Sequence, residues 1–370
     1  MRLPLIKHAQ RPQLRPNGAI WIGHSMYGRA TELVEDSGVL WSICERMDGT
    51  RTIAQLAAEV VAKHPGPTDE AEVREMIAFL IDSGWVQDAD PVVPPTLTDR
   101  DLDRYSRGTE FLSTLSTDPK ISGLDLQAKL KASRVVVLGL GGVGSAVAAS
   151  LAASGIGQLH CVDHDTVELS NLNRQLLYSE AVIGELKNDA AVAYLRSLNS
   201  DIEVTGADLL LDGPEAVLKA VGDCDAIVLC ADKPADEIGL WTNEAAYTVG
   251  VPFLTAGYAG PLFTTACFIP GRTVCYACHL SYTKDRRKDS GVAARGVPYV
   301  DSGPAAIIAP VAQIAGHYLA LETINLLTGL PVQTAGRELS RFVMDYEQQH
   351  YLATGPLADC PVGCGGMLAR

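Results

Sequence analysis

The residues of this chain best suited to chemistry are a glycine-rich turn and the charged groups that follow it. The turn, GLGGVG at residues 139–144, comes directly after the β-branched run Val135–Val137 and opens a segment of small residues, Ser145–Ala153. A strand, a tight glycine turn and a helix N-terminus form an anion site, because unpaired backbone N–H groups there point at a phosphate. Many dinucleotide enzymes carry such a turn, so the cofactor class depends on the residues downstream.

Those downstream residues favour a triphosphate over a nicotinamide cofactor. Asp163 follows the predicted second strand, Gln158–Val162, where an acid reaches the hydroxyls of a ribose. Arg174 lies in the polar string SNLNRQ at residues 170–175, and Lys187 ends the string IGELK. An arginine fork and a lysine point charge suit a triphosphate, whereas hydride transfer has no use for cations near the phosphates.

An acid after a third predicted strand completes this set. Residues Ala226–Cys230 read as a buried strand, and Asp232 follows it in the turn ADK. A carboxylate at the carboxyl end of that strand could hold the Mg²⁺ that bridges phosphate oxygens. The alternative is an ordinary turn acid, since only its strand places Asp232.

Together these motifs resemble the ubiquitin-activating superfamily, especially the bacterial ThiF/MoeB adenylyltransferases. The resemblance covers roughly residues 101–370 and rests on GLGGVGS, VDHDTVELSNLNRQ, IGELK and CAD in that order. It implies an α/β, Rossmann-like ATP-binding domain with a mainly parallel sheet. It also implies attack of a carboxylate or an amide-type oxygen on the α-phosphorus. The nucleotide would be ATP or CTP, which present identical phosphates, and would be bound by Gly139, Gly141, Gly142, Gly144, Asp163, Asp165, Ser170, Asn171, Arg174, Gln175, Lys187 and Asp232.

A short element upstream extends the resemblance. Arg104-Tyr105-Ser106-Arg107 is similar to the family's R-Y-x-R element, whose second arginine enters the ATP site of the neighbouring subunit. The resemblance therefore implies a homodimer in which Arg107 is catalytic together with Arg174, Lys187 and Asp232. The chain has Gly108 where the family usually has glutamine, and Arg107 by itself also reads as an exposed cation.

Four cysteines predict a second site. Cys275 and Cys278 form a C-x-x-C pair, and the tail brings Cys360 and Cys364. Two thiolate pairs complete a tetrahedral structural Zn²⁺ site with no open position. The family's second pair is usually C-x-x-C, and a redox or disulfide role is the alternative. With an ATP site and no secretory signal, we expect the cytosol and hence a metal.

The placement of the other cysteines bears on mechanism. Relatives that pass an activated carrier onto a thiol use a cysteine beyond the first zinc pair, but residues 280–358 contain none. The others lie in the N-terminal region or in predicted strands, where thiols are usually inert packing. We therefore expect transfer from an acyl-adenylate directly to an amine or an amide, or release, without a thioester.

The first ninety residues form a separate pattern. Residues 18–22 and 30–34 read as short strands, and helices follow at Gly38–Arg46, Ile53–Lys63 and Glu70–Asp82. The pattern resembles the PqqD-like winged-helix domain that recognises leader peptides in ribosomal peptide biosynthesis. That domain, which is similar to the pyrroloquinoline-quinone peptide chaperone, binds its ligand as an added strand at a sheet edge beside a helix. The combination is similar to the microcin C peptide adenylyltransferase and the pantocin-type cyclising enzyme.

Two other functions for this region are DNA binding and dimerisation. Acids outnumber bases across residues 1–90, no basic stripe follows any helix, and the whole chain carries a formal charge of −14. These features argue against a surface that binds the phosphates of nucleic acid. We therefore expect a precursor peptide and not nucleic acid as the partner.

Composition fits this organisation. With 370 residues, 47% of them hydrophobic, the chain can fill two cores. The proline-rich junction at residues 90–95 predicts a division into a winged-helix α+β domain (1–92), a linker (93–103) and an adenylating domain with a zinc-bound tail (104–370). The apolar stretch Gly303–Leu327 contains too many polar groups for a membrane span and predicts a buried helix. We expect a soluble cytoplasmic protein.

One basic segment remains. Residues 281–288, SYTKDRRK, continue through Arg295 to Pro298 after the first cysteine pair, where the superfamily has a crossover loop over the active site. The segment reads either as a mobile cover that meets a carboxylate or pyrophosphate, or as a solvated loop.

The sequence thus predicts an ATP-dependent enzyme that activates a precursor peptide. Two rivals stay open. One is a sulfur-carrier activating enzyme, against which the missing loop cysteine and the added N-terminal region weigh. The other is a non-catalytic adaptor that delivers leader peptides to a cyclodehydratase, against which the retained ATP residues weigh.

Overall fold

The computed structural model describes residues 1–24, 29–66, 68–289, 306–345 and 347–368. The chain forms two compact units, residues 1–129 and 130–370. Residues 93–129 belong to the first unit by their contacts. The sequence instead predicts a domain boundary in the proline-rich junction at residues 90–95.

The first unit contains two small antiparallel sheets. Strand β1 (Pro4–Ile6) pairs with β5 (Val86–Asp88), and β2 (Gln13–Leu14), β3 (Ile20–His24) and β4 (Arg29–Leu33) form a three-stranded sheet in that order. The strands β3 and β4 lie where the sequence predicts them. It does not predict β1 and β2, which are too short to show alternation.

Three helices cover the core of this unit: α1 (Val39–Arg46), α2 (Ile53–Lys63) and α3 (Glu70–Asp82). Thr52 begins α2 with a capping box, in which its hydroxyl accepts the N–H of Gln55 and Gln55 Oε1 accepts the N–H of Thr52. The buried side chains of the helices pack with Ile6 and Val86 of β1 and β5 in one core. Three further helices follow: α4 (Asp99–Arg104), α5 (Ser106–Leu115) and α6 (Gly123–Ala132).

The second unit is built on an eight-stranded sheet of order β13-β12-β11-β10-β9-β6-β7-β8. The neighbours from β8 to β10 pair in parallel, and the neighbours from β10 to β13 pair antiparallel. This arrangement confirms the predicted Rossmann-like α/β fold with a mainly parallel sheet. Its strands are β6 (Arg134–Leu138), β7 (Gln158–Val162), β8 (Glu203–Ala207), β9 (Ala226–Leu229), β10 (Phe253–Ala259), β11 (Leu262–Phe268), β12 (Arg337–Phe342) and β13 (Gln349–Ala353).

The described helices of this unit are α7 (Gly142–Ala153), α8 (Lys187–Leu198), α9 (Pro214–Val221), α10 (Glu237–Val249), α11 (Tyr276–Asp289), α12 (Ala309–Thr328) and α13 (Cys364–Leu368). Helix α12 is the buried helix that the sequence predicts. It packs closely on α7, since a Cβ at Gly316 would lie 2.6 Å from the carbonyl oxygen of Val143. Among the described residues, no helix is long and apolar enough to cross a membrane.

The basic segment after the first cysteine pair differs from its prediction as a loop. Residues 281–289 continue helix α11, because no glycine or proline interrupts the chain between Tyr276 and Asp289. Lys284 forms an ion pair of 2.9 Å with Asp236. The remainder of the predicted cover, residues 290–300, lies outside the described residues.

Candidate active site

The glycine turn connects β6 to α7, and at Gly139 and Gly144 it has no room for a side chain. Gly139 has φ +91°, and a Cβ there would lie 2.6 Å from the backbone nitrogen of Ala231. A Cβ at Gly144 would lie 1.9 Å from the carbonyl oxygen of Gly139. Gly141 precedes α7 without capping it by a side chain, so the N–H groups of the first helical turn are available to a phosphate.

Two side chains hold the turn at Leu140. Asp163 accepts the N–H of Leu140 at 2.6 Å and the N–H of Asp165 at 2.9 Å, one at each carboxylate oxygen. The hydroxyl of Tyr178 donates to the carbonyl oxygen of Leu140 at 3.1 Å. Burial raises the pKa of Tyr178, so its hydroxyl keeps the proton that it donates. Asp163 therefore fixes the turn, and its remaining lone pairs can still accept ribose hydroxyls, the role that the sequence predicts.

Lys187 begins α8 and turns its ammonium toward β7. Its Nζ lies 2.7 Å from Asp165 Oδ2, and its backbone N–H donates to the carbonyl oxygen of Asp165 at 2.8 Å. Burial raises the pKa of Asp165, but the hydrogen bond and charge of Lys187, with smaller contributions from His164 and Lys233, outweigh it and lower that pKa. The carboxylate is thus charged at neutral pH, and its lysine is held at the edge of the sheet beside the glycine turn.

Arg174 and Gln175 follow a short turn that their neighbours stabilise. Asn171 Oδ1 accepts the N–H of Glu168 at 3.2 Å, and the Ser170 hydroxyl donates to Glu168 at 3.1 Å. Both side chains therefore stabilise the turn. The backbone carbonyl oxygen of Ser170 also accepts a hydrogen bond of 3.0 Å from Arg174 Nη1. The structure gives Ser170 and Asn171 this local role, and their predicted contact with a nucleotide stays a prediction.

Two buried polar atoms in this turn have no hydrogen-bond partner among the described residues. They are Arg174 Nε and Gln175 Oε1. Such atoms are costly to leave unpaired, and a bound nucleotide offers acceptors and donors for both. A Cβ at Gly142 would meet the Arg174 side chain at 3.3 Å, so the arginine lies against the glycine turn. This arrangement fits a bound triphosphate.

Asp232 follows β9 and is exposed at the same edge of the sheet. Directly after β7, the ligand atoms of Asp163, His164 and Asp165 lie within 4.8 Å of one another. The carboxylates among these groups, and that of Asp232, are oxygen ligands of the type that Mg²⁺ prefers. The assignment of the metal to Asp232 stays a prediction.

The structure therefore brings together most of the predicted nucleotide residues. The glycine turn, Asp163, Asp165, Arg174 and Lys187 are joined by the contacts above, and Asp232 follows the strand beside β6. Arg107 lies elsewhere, in the first turn of α5 in the first unit, and its side chain is exposed.

Sequence reasoning missed two residues that shape the site. Tyr178 is one of them. The other is Gln313 of α12, whose Nε2 donates to the carbonyl oxygen of Arg174 at 2.9 Å and to that of Gly142 at 3.3 Å. No local pattern indicates Gln313, because its partners are far away in the sequence and only the fold of α12 over α7 brings them together.

The four cysteines of the predicted zinc site form one cluster. Sγ–Sγ distances are 3.6 Å for Cys275–Cys360, 3.6 Å for Cys278–Cys364 and 3.5 Å for Cys360–Cys364. Zinc bound by four sulfurs at about 2.3 Å places them about 3.8 Å apart, whereas a disulfide requires about 2.05 Å. The donor set and spacing fit Zn²⁺. Gly363 has φ +63°, and this turn accommodates the extra residue of the tail pair.

The other thiols lie outside this cluster, and all of them are buried except Cys230, which is half-buried. Burial raises the pKa of Cys44, Cys161, Cys224 and Cys267 to about 12 and raises that of Cys230 as well. They are protonated at neutral pH and poor nucleophiles, which agrees with a mechanism that uses no thioester.

Comparison with known proteins places this fold and site in a family. A profile of the ThiF family matches residues 115–361. The sulfur carrier protein ThiS adenylyltransferase of Escherichia coli is 33% identical over 273 residues, which make up 73% of this chain and 98% of that protein. The molybdopterin-synthase adenylyltransferase of Escherichia coli is 31% identical over 249 residues, 65% of this chain and 88% of the relative.

Solved structures resemble the chain over nearly its whole length. The crystal structure of Escherichia coli MccB with AMPCPP and MccA superposes with a TM-score of 0.74 at 23% identity over 97% of this chain and 99% of MccB. Crystalline PaaA gives a TM-score of 0.71 at 22% identity over 94% of this chain and 99% of PaaA. At these identities the likeness shows a shared fold. The family profile and the curated relatives go further, and with the glycine turn and its cations they show that the chain is an adenylyltransferase of the ThiF family.

Proposed function

We propose that this enzyme adenylates a carboxylate or amide of a ribosomally made precursor peptide, whose leader is held by the first unit. The observation that carries the proposal is the extent of the matches. The ThiS adenylyltransferase of Escherichia coli aligns over 98% of its length yet covers only 73% of this chain. MccB, crystallised with MccA, covers 97% of this chain. A counterpart of the region beyond the shared adenylating core in a protein crystallised with MccA supports the proposal.

The first unit offers a suitable place for a peptide. Its three-stranded sheet has two edges, β2 and β4, and an extended peptide can add to such an edge through main-chain hydrogen bonds. Trp21 of the central strand is anchored by Glu32 of β4 through a 2.8 Å hydrogen bond. A PqqD-like winged-helix role for this unit is part of the proposal.

The second unit would carry out the chemistry on ATP. An oxygen of the peptide attacks the α-phosphorus, the bond to the β-phosphate oxygen breaks, and pyrophosphate leaves. Arg174 and Lys187 bind the phosphates, Asp163 binds the ribose, and Asp232 binds Mg²⁺. Bound there, Mg²⁺ would neutralise charge on the leaving phosphates. Such a reaction needs alignment and fixed positive charge more than covalent help from the protein.

We assign Arg107 to the phosphates of a partner subunit, which makes the homodimer the catalytic form. Its guanidinium is exposed, and within the described part of the chain it has no hydrogen-bond or ion-pair partner. A long cation that its own unit leaves unpaired is available to another molecule. Zn²⁺ at the four cysteines would tie the C-terminal tail to the start of α11 and has no part in the reaction.

Peptide-dependent exchange of labelled pyrophosphate into ATP tests the proposal. The peptide to use is one encoded by a short reading frame beside the gene of this enzyme. Asp232→Ala should abolish exchange while leaving peptide affinity unchanged. The matched control is Asp212→Ala, which removes an exposed aspartate without an assigned role. Exchange at the wild-type rate in Asp232→Ala would show that the metal assignment is wrong.

A second candidate is activation of a sulfur carrier protein, favoured by the 33% identity to ThiS adenylyltransferase. In that case pyrophosphate exchange should depend on a small protein that ends in Gly-Gly. Supplying such a carrier and the peptide in parallel separates the two. An adaptor without catalysis would bind no ATP in isothermal titration.

A further inference from the structure

We infer that Lys7 is a positioning residue that joins the core of the first unit to the helix bearing Arg107, so that the two move as one body. The inference rests on the proposed function, in which Arg107 serves the ATP site of a partner subunit. It ties the position of Arg107 to the core of the unit that would hold the leader peptide.

The ammonium of Lys7 is buried at a junction of three elements. The residue follows β1 and is 4% exposed. Its Nζ donates to the carbonyl oxygen of Gly84 at 2.8 Å and to that of Ser116 at 2.6 Å. Gly84 lies between α3 and β5, and Ser116 is the C-cap of α5. One side chain thus connects the end of α5 to the core elements of the unit, and the negative ends of both helices favour a cation there.

Two further contacts hold the same end of α5. The hydroxyl of Ser113 donates to Gln87 Oε1 on β5. A Cβ at Gly84 would lie 2.9 Å from the Cα of Thr117, so the two backbones touch directly after the helix. Ile6 of β1 and Val86 of β5 belong to the same hydrophobic core as the buried residues of α1, α2 and α3. The contacts at the end of α5 therefore attach this helix to that core.

Arg107 lies on the same helix, nine residues before Ser116. Those residues span about 14 Å of continuous α-helix, a length over which a helix is stiff. The opposite end of α5 is also held, since a Cβ at Gly123 of α6 would lie 1.9 Å from the carbonyl oxygen of Thr109. The position of the Arg107 backbone is therefore set by the fold of the first unit, while its side chain stays exposed.

The test measures ATP affinity in the full-length protein by isothermal titration with ATP and Mg²⁺. Lys7→Met keeps the length of the side chain and removes its donors. We expect the dissociation constant for ATP to rise roughly threefold to tenfold, less than the tenfold or more expected for Arg107→Ala, which deletes a charged phosphate contact outright. Affinity for adenosine, which has no phosphates, should not change in either variant. Lys120→Met is the control, because Lys120 is an exposed lysine of the same unit.

A double-mutant cycle distinguishes positioning from general damage. If Lys7 acts through Arg107, Lys7→Met should cause no further loss in the Arg107→Ala background. An equal loss in both backgrounds, or unchanged ATP affinity in Lys7→Met or in Arg107→Ala, would overturn the inference. Gln87→Leu, which cuts the second contact to α5, replaces Lys7→Met in the same cycle if that variant does not fold. Wild-type protein that binds no ATP would instead overturn the proposed function itself.

Discussion

Lys187 Nζ lies 2.7 Å from Asp165 Oδ2, with the lysine side chain 7% exposed and the aspartate side chain 54% exposed. The pair joins the start of α8 to the end of β7, directly beside the glycine turn. A buried cation is thereby held at the edge of the sheet by a carboxylate that solvent reaches.

Removal of this cation should weaken binding of the triphosphate. Lys187→Met leaves the Asp165 carboxylate uncompensated near the phosphates, so attraction is replaced by repulsion. We expect ATP affinity to fall by about tenfold or more, measured by isothermal titration. Lys219→Met, at an exposed lysine on α9, should bind ATP as the wild type does. Equal affinities in the two variants would remove Lys187 from the site. Because the pKa of Asp165 is lowered, its ion pair is present at neutral pH and is lost only on acidification below the ordinary aspartate range.

The glycine turn should not tolerate a methyl group at Gly144. In Gly144→Ala the new Cβ would lie 1.9 Å from the carbonyl oxygen of Gly139, which forces the turn apart. We expect loss of ATP binding and a destabilisation of about 1–3 kcal/mol or more. The control is Gly213→Ala, where φ is −178° and no atom lies within 4 Å of the added Cβ. Thermal unfolding and ATP titration check both variants, and an unchanged Gly144→Ala protein would contradict the close contact.

The cysteine cluster predicts that each chain binds one metal ion. We expect one zinc per chain by elemental analysis, and loss of that zinc in Cys364→Ser, because three thiolates no longer close the tetrahedron. The tail from Cys360 onward should then become sensitive to proteolysis. Cys224→Ser removes a thiol that lies outside the cluster and should keep its zinc. A wild-type protein purified without added chelator and lacking zinc would refute the site.

The buried lysine predicts a specific dependence of stability on pH. Burial lowers the pKa of Lys7 to about 8, while the unfolded chain keeps a value of about 10.4. Between these values the unfolded state binds more protons, so the stability contributed by Lys7 rises with pH, by at most about 1.4 kcal/mol per pH unit. The neutral amine still has two N–H groups for its two carbonyl acceptors.

Chemical unfolding of wild type and Lys7→Met at several pH values isolates this effect. The difference in unfolding free energy, wild type minus variant, should increase from pH 7.5 to 9.5, since other titrating groups cancel. A difference that stays flat or decreases over that range would mean that the ammonium is not buried as the structure has it.

The sequence by itself determined the family, the α/β class, the positions of β6, β7 and β9, and the helices α1 to α3. It could do so because these features are local. A glycine turn, a cap such as Thr52 and the apolar spacing of a helix are written in consecutive residues, and the motif order from the glycine turn to Asp232 follows the chain. The two cysteine pairs were visible for the same reason.

Only the tertiary structure decided which distant groups meet. The contact of Gln313 with Arg174 depends on α12 packing over α7, and the contact of Lys7 with Ser116 joins residues 109 positions apart. The sulfur spacing that fits a metal in place of a disulfide likewise required the tail to fold back onto α11. Such relationships leave no periodic trace in the sequence, because each depends on the packing of whole elements and not on the conformation of neighbouring residues.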